Sequence, residues 1–174
     1  MEEYTVLKEK TFKIKNFNKV LIGDPLYFEN YEVGSNDYKR LIADFKNPKK
    51  NIECYIKIAL VKDNEYGFEQ YDITVVSAPT KEFVNTYLNG KYYVGSKRNH
   101  IELGCDTARF SIEIDGRHLT FHTGADGYYG DVIKYSYNGA GNIGCVISLS
   151  LSADMFSFEE LEGDFKYLFC EDAS

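Results

Sequence analysis

The sequence predicts a mainly β domain, a sandwich or open barrel of roughly eight to ten strands with two short helices, α+β by strict count. Three observations carry this. The chain of 174 residues holds 15 tyrosines and 12 phenylalanines but no tryptophan, an enrichment that favours strands. Short apolar–polar alternations recur along its length, separated by glycine, proline and asparagine breakers. One stretch, Arg109 to Tyr129, combines alternation with a turn that fixes its own register.

That turn is Asp115-Gly116, the dipeptide of a two-residue type I′ hairpin, whose central residues both need positive φ. It sets Ile114 against Arg117, Ile112 against Leu119 and Phe110 against Phe121. Phe110, Ile112, Leu119 and Phe121 then share an apolar face. Arg109–His122, Ser111–Thr120 and Glu113–His118 share the polar one.

Residues 4–15 alternate loosely, as one or two strands whose lysines (Lys8, Lys10, Lys13, Lys15) suit an exposed edge. Lys19 to Ile22 reads as a strand ended by Gly23-Asp24-Pro25, because proline holds its predecessor extended and offers no backbone donor. Tyr27 to Tyr31 is aromatic and acidic. Tyr38, Leu41, Ile42 and Phe45 fall at helical spacing, so a short helix is expected over Asp37–Phe45 with Asn36 or Asp37 as its cap. Residues 52–76 form a long hairpin turning at Asp63-Asn64-Glu65. A second helix is expected over Thr80–Leu88, with Thr80 as cap and Asn89-Gly90 as stop. A short strand over Lys91–Val94 and a basic loop over Gly95–His100 follow.

Beyond the central hairpin, Val132–Tyr137 and Ile143–Leu151 make another, joined through residues 138–142. Ser157–Leu161 reads as one helical turn or as packing tail, and Glu171 to Ser174 as a frayed end. With no repeat, linker or low-complexity tract, residues 1–174 are expected to form a single domain.

Charge and cysteine usage narrow the function. The net charge of −7 is uneven: residues 1–100 carry 16 Lys/Arg against 14 Asp/Glu, and residues 101–174 carry 4 against 13. An acidic second half disfavours nucleic acid, whose phosphates require a basic surface. No apolar run reaches the length of a membrane span. The start M-E-E-Y-T-V lacks the basic and apolar regions of a secretory leader. Cys54, Cys105, Cys145 and Cys170 are widely spaced without a C-x-x-C pair. A reduced, cytoplasmic, soluble protein is expected.

The chemistry-bearing stretch is the loop T-G-A-D-G-Y-Y-G-D, residues 123–131. Running the hairpin register backwards sets Asp106 opposite Ala125 and beside Asp126. A strict pleat would drive Asp106 toward the apolar face unless Gly124 bends the strand. A carboxylate so placed needs pairing, hydrogen bonds or a proton.

Three readings compete. Asp106, Asp126 and Asp131, with or without Asp24, could converge to bind a divalent cation through hard oxygen ligands, although the spacing is not that of an EF-hand. His118 and His122 project alike and suit acid–base work, yet the register pairs them with Glu113 and Arg109. No nucleophile elbow, H-E-x-x-H, phosphate loop or dinucleotide fingerprint accompanies them. In the third reading the aspartates are turn and network residues, and Tyr128 and Tyr129 brace the loop or face a partner. Tyr27, Tyr31, Tyr128, Tyr129, Tyr135 and Tyr137 all flank loops, where tyrosine supplies large amphipathic contact area or cross-strand packing.

Gly23 to Phe28 (G-D-P-L-Y-F), Asp106 to Phe110 (D-T-A-R-F) and Gly124 to Tyr129 (G-A-D-G-Y-Y) resemble a loose group of uncharacterised bacterial domains. That group has an Asp-Pro strand end, a D-[ST]-G segment and a G-x-G-D-G-x-Y loop. Its members are β-rich, some from phage or mobile-element settings, and the resemblance brings no established activity. Here Ala108 stands where a glycine is usual, and the spacing before Asp126 is altered. The matching positions are Asp24, Asp106, Asp126 and Tyr128.

The expectation is a bacterial binding or interaction module built on Asp24, Asp106, Asp126, Tyr128, Tyr129 and Asp131. Its partner is an unknown protein or small molecule, not nucleic acid or membrane. The alternative is a metal-dependent hydrolase centred on Asp106 and Asp126, with Asp131 as a third ligand. No cofactor is expected, save a divalent cation under that alternative.

Overall fold

The structure, a computed structural model, describes residues 3–14, 17–46, 53–78, 85, 98–137, 142–168 and 170–172. Among them, eleven strands form two antiparallel sheets, and the fold is mainly β. The strands are β1 (Tyr4–Ile14), β2 (Lys19–Gly23), β3 (Ala43–Lys46), β4 (Glu53–Asp63), β5 (Glu69–Ala78) and β6 (Arg98–Cys105). After these come β7 (Arg109–Ile114), β8 (Arg117–His122), β9 (Gly127–Tyr137), β10 (Asn142–Ser152) and β11 (Cys170–Asp172). Three helices, α1 (Pro25–Asn30), α2 (Asn36–Leu41) and α3 (Phe158–Leu168), complete the described elements with a 3-10 turn at Ala153–Met155. The larger sheet has the order β11-β1-β4-β5-β10-β9-β6 and the smaller β3-β2-β7-β8. Neither sheet closes into a barrel.

One apolar core lies between the sheets. Phe12, Ile56, Ile58, Ile73, Ile147 and Leu149 come from the larger, and Val20, Ile22, Phe110, Ile112 and Phe121 from the smaller. Strand alternation delivers these residues inward and their neighbours outward. Helix α3 bridges β8 and the β1–β11 border, stacking Phe165 on Phe12 at 6.0 Å and on Phe121 at 6.2 Å. No helix among the described residues is long and apolar enough to cross a membrane.

The β7–β8 hairpin has the register expected from Asp115-Gly116, pair for pair. Both turn residues have positive φ, 50° and 85°. The Asp115 carboxylate also accepts the Asn18 and Lys19 amides, tying the turn to the start of β2.

Elsewhere the local pattern was overridden. The helix expected over Asp37–Phe45 stops at Leu41, because residues 43–46 pair with β2 as a strand, Ala43 opposite Ile22. Its cap is Ser35, whose hydroxyl accepts the Tyr38 amide. Tyr27 lies in a helix, α1, that periodicity did not reveal.

Over Tyr4–Thr11 strand β1 pairs with β4 alone among the described strands and is largely exposed, as its lysines suggest; β11 pairs with its end at Phe12–Ile14, so the tail expected to fray at Glu171 is a strand through Asp172. The lysines of β1 also reach α3 and β4, Lys8 meeting Glu159 at 3.2 Å and Lys13 meeting Glu53 at 3.5 Å. Helix α3 runs eleven residues, well beyond the expected turn. Arg98 to His100 open β6 rather than ending a loop. Apart from Asn85, which is helical, the helix expected over Thr80–Leu88 lies outside the described residues, as do the strand over Lys91–Val94 and most of the 138–142 turn.

Candidate functional site

Strands β6 and β9 pair in the larger sheet, and their continuations β7 and β8 pair in the smaller. Residues 98–137 are therefore one long antiparallel ribbon folded at a corner. The corner is made by residues 106–108 on one strand and 123–126 on the other. Two backbone conformations turn it: Ala108 at φ 53° and Gly124 at φ 81°. One residue is gained on the second strand, so Cys105 faces Gly127 instead of Asp126.

The bend at Gly124 is the exception under which Asp106 would not turn inward. With the pleat broken there and at Ala108, the Asp106 side chain is not driven into the core and is exposed. The buried carboxylate is Asp24, fully enclosed at the end of β2. Its Oδ2 accepts the amides of Asp106 and Thr107, both at 2.9 Å. Its Oδ1 accepts the Leu26 amide at 2.9 Å, capping α1, and the Thr107 hydroxyl at 2.8 Å. A buried carboxylate ringed by donors in this way needs no counter-charge. Pro25 at the first position of α1 has no amide to leave unsatisfied there.

Asp126 does the corresponding work on the facing strand, its Oδ1 accepting the Ala108 amide at 3.1 Å. The Ala108 carbonyl in turn accepts the Thr123 amide at 2.8 Å. The Ala125 carbonyl accepts the Thr123 hydroxyl at 2.8 Å and the Tyr129 hydroxyl at 2.6 Å. Cys105 Sγ stands 3.6 Å from Thr123 Oγ1. The three short sequence stretches around Asp24, Asp106 and Asp126 are thus one hydrogen-bonded unit.

Tyr27, buried in α1, has the Asp106 carboxylate near its hydroxyl. Burial raises its ionisation well above the ordinary tyrosine value, and the neighbouring Asp106 carboxylate, with Asp24 and Cys105 beyond, raises it further.

Beyond the corner, a bulge sets the two loop tyrosines to different tasks. Leu103 faces Gly130 and Gly104 faces Tyr128, leaving Tyr129 as the extra residue of β9. Residues 129 and 132 are three apart and would take opposite faces of a regular strand. With the bulge both Tyr129 and Val132 pack on the inter-sheet core, Tyr129 edge-on to Phe110 at 5.6 Å. Gly130 leaves the room this needs, since a Cβ there would run into the Ser148 carbonyl oxygen and the Leu149 side chain.

Tyr128 takes the outer face and is 77% exposed. Its ring lies on the bare backbone of Gly104, where an added Cβ would come within 3.1 Å of ring carbons Cδ1 and Cε1. A cleft of about 370 Å³ opens beside it, lined by Tyr128, Tyr129, Gly130, Asp131, Ser148 and Ser150. Asp131 is exposed and directly opposite Ser148. Ser150 donates its hydroxyl to Asp72 at 2.9 Å, and Gln70 Nε2 donates to the same oxygen.

Of the residues nominated by the sequence, Asp24, Asp106 and Asp126 meet at the corner, and Tyr128 and Asp131 line the outer cleft, with Tyr129 between them. Among the described residues no three His, Cys, Asp or Glu side chains gather as a metal ion would need, the trio of Asp106, Asp126 and Asp131 included. Sequence reasoning missed Thr107, Gly104, Ser148 and Ser150, and offered Tyr27 only as a loop-flanking contact residue. Thr107 lies inside the quoted motifs and was legible there, whereas Ser148 and Ser150 reach the cleft only through strand order. Compared with known protein families, curated proteins and solved structures, the chain matches none.

Proposed function

We propose that this chain is a binding module whose working face is the outer cleft beside Tyr128, held in place by the corner around Asp24 and Asp126. The observation that carries this reading is Tyr128 itself. A large aromatic ring left 77% exposed is costly to solvate, and here the ring rests close against Gly104. Such a ring has little conformational entropy to lose on binding, which suits it to contact a partner. The cleft beside it supplies hydroxyls and a carboxylate for orientation. Cys105, buried and outside any disulfide, accords with a reducing cytoplasm, and the motif resemblance with a bacterial source.

The test separates the exposed ring from the bracing one. Tyr128→Ala should leave the thermal midpoint near the wild-type value and abolish capture of a partner from native lysate. Tyr129→Ala should lower the midpoint, since it loses core contacts and a hydrogen bond. Undiminished capture by Tyr128→Ala would overturn the reading.

A further inference from the structure

We infer that the Tyr128 cleft takes a neutral sugar, bound through one pyranose ring. This deepens the reading above and rests on it. The polar groups of the outer face select the ligand. On that face β5 and β10 present three successive cross-strand pairs: Thr74 with Ser148, Asp72 with Ser150 and Gln70 with Ser152. Ser148, Ser150 and Ser152 are exposed, whereas Ile147, Leu149 and Leu151 between them belong to the core. Serines at three alternate positions keep the floor low, and Tyr128 stands beside it at one wall of the cleft.

Hydrogen bonds within this face fix what it offers. Ser150 donates its proton to Asp72 Oδ1, and Gln70 Nε2 donates to the same oxygen. Ser150 therefore meets a ligand as an acceptor, and Asp72 keeps Oδ2 as a second acceptor beside it. The Ser148 hydroxyl, lining the cleft, gives or accepts. Asp131 and Lys57, in the same row as Thr74 and Ser148, are both engaged within the protein, Lys57 with Glu9 at 3.2 Å. The face is thus suited to hydroxyl groups rather than to an ion.

An exposed aromatic ring beside such a row matches the two-sided chemistry of a sugar. A pyranose has an apolar face of C–H groups, which packs on an aromatic ring, and a rim of hydroxyls that donate and accept. Tyr128, 77% exposed, offers the ring, and Ser148 and Ser150 meet the rim. A wholly apolar ligand would strip water from these hydroxyls and return no hydrogen bond. The cleft, about 370 Å³, lies in the range of small-molecule sites.

The experiment is a titration followed by amide chemical shifts. The probes are the methyl glycosides of glucose, galactose, mannose and N-acetylglucosamine, with cellotetraose and maltotetraose as chains and cyclohexanol as an apolar control. At least one of these sugars should shift the Tyr128, Ser148 and Ser150 amides with a Kd of about 10 mM or below, and cyclohexanol should not. Tyr128→Ala should weaken that binding about tenfold, whereas Tyr128→Phe, which keeps the ring, should stay within about twofold. Ser150→Ala, which removes an acceptor, should weaken it about threefold. Tyr167→Ala removes an 88% exposed ring from α3, away from the cleft, and should leave affinity unchanged.

No shift of these amides with any of the sugars at about 50 mM would overturn the proposal. Were capture from lysate still lost in Tyr128→Ala, the cleft would remain a binding face and only its ligand class would be wrong. An equal response to cyclohexanol would also overturn it, showing apolar contact alone. So would equal losses in Tyr128→Ala and Tyr167→Ala, which would show adhesion to any exposed ring. Circular dichroism on each variant checks that the fold is intact.

Discussion

Asp24 and Thr107, 83 positions apart in the chain, are joined twice: the Asp24 carboxylate accepts both the backbone amide and the side-chain hydroxyl of Thr107. Asp24 ends a strand of the smaller sheet, and Thr107 sits where the chain crosses between the sheets. The same carboxylate caps α1 and takes the Asp106 amide. Through this one side chain the entry to α1 and the corner of the long ribbon become a single structural unit.

Removing that carboxylate leaves buried donors without acceptors. Asp24→Ala should destabilise the fold by about 3–4 kcal/mol, the cost of several unsatisfied buried N–H and O–H groups. Asp24→Asn keeps one oxygen but turns an amide NH2 group toward donors, and should cost about 2–3 kcal/mol. Urea unfolding at neutral pH measures both, and a loss below about 1 kcal/mol for Asp24→Ala would contradict the role assigned to it.

Ala108 turns the corner at φ 53°, a region where a Cβ crowds the backbone. Ala108→Gly should therefore stabilise the protein by about 0.5–1 kcal/mol, even though glycine loses more entropy on folding. The motif resemblance expected glycine at this position. A destabilised Ala108→Gly would mean that the bend does not have this conformation.

Two glycines separate space from conformation. Gly130 has no room for a Cβ beside the Ser148 carbonyl, so Gly130→Ala should cost about 1–3 kcal/mol and disturb the bulge that aims Tyr129 inward. Gly34 has φ 86° but open surroundings, so Gly34→Ala should cost about 1 kcal/mol without perturbing the site. Thermal melts give the costs, and amide chemical shifts near Tyr129 report the disturbance.

Alkaline pH should act through buried tyrosines. Burial, then nearby carboxylates, raises the ionisation of Tyr27, Tyr38, Tyr55 and Tyr71 above the unfolded value. Native tyrosine is the more firmly protonated, so this contribution is complete below about pH 10 and is lost as pH rises past it. Unfolding free energy should thus decline above about pH 10, and Tyr27→Phe together with Tyr38→Phe should flatten the decline. An unchanged slope in that double variant would contradict the assignment.

How much of this was legible follows from how local each signal is. Asp115-Gly116 sets its own register because a type I′ turn needs nothing from the rest of the chain, and that hairpin reads directly from sequence. Residues 43–46 do not: their helical spacing is overridden by pairing with β2, a partner more than twenty residues away. Helix α1 was signalled by Asp24-Pro25, an N-cap followed by proline at the first helical position, but six residues show too little periodicity to confirm it.

The site shows the same division. Asp24, Asp106 and Asp126 stood out by residue type and were placed near one another. Which of them was buried depended on the φ of Ala108, a property that the identity of an alanine does not announce. Tyr128 and Tyr129 were nominated together, and only the bulge opposite Leu103 and Gly104 distinguishes the exposed ring from the buried one.

The most direct measurement is amide hydrogen exchange at Asp106 and Thr107, in the wild-type protein and in Asp24→Asn. Both amides lie in a connection between strands, where loop positions exchange freely unless a specific acceptor holds them. Strong protection in the wild type that falls tenfold or more in Asp24→Asn is the expected result. Free exchange in the wild type, or equal protection in both proteins, would contradict the Asp24-centred corner.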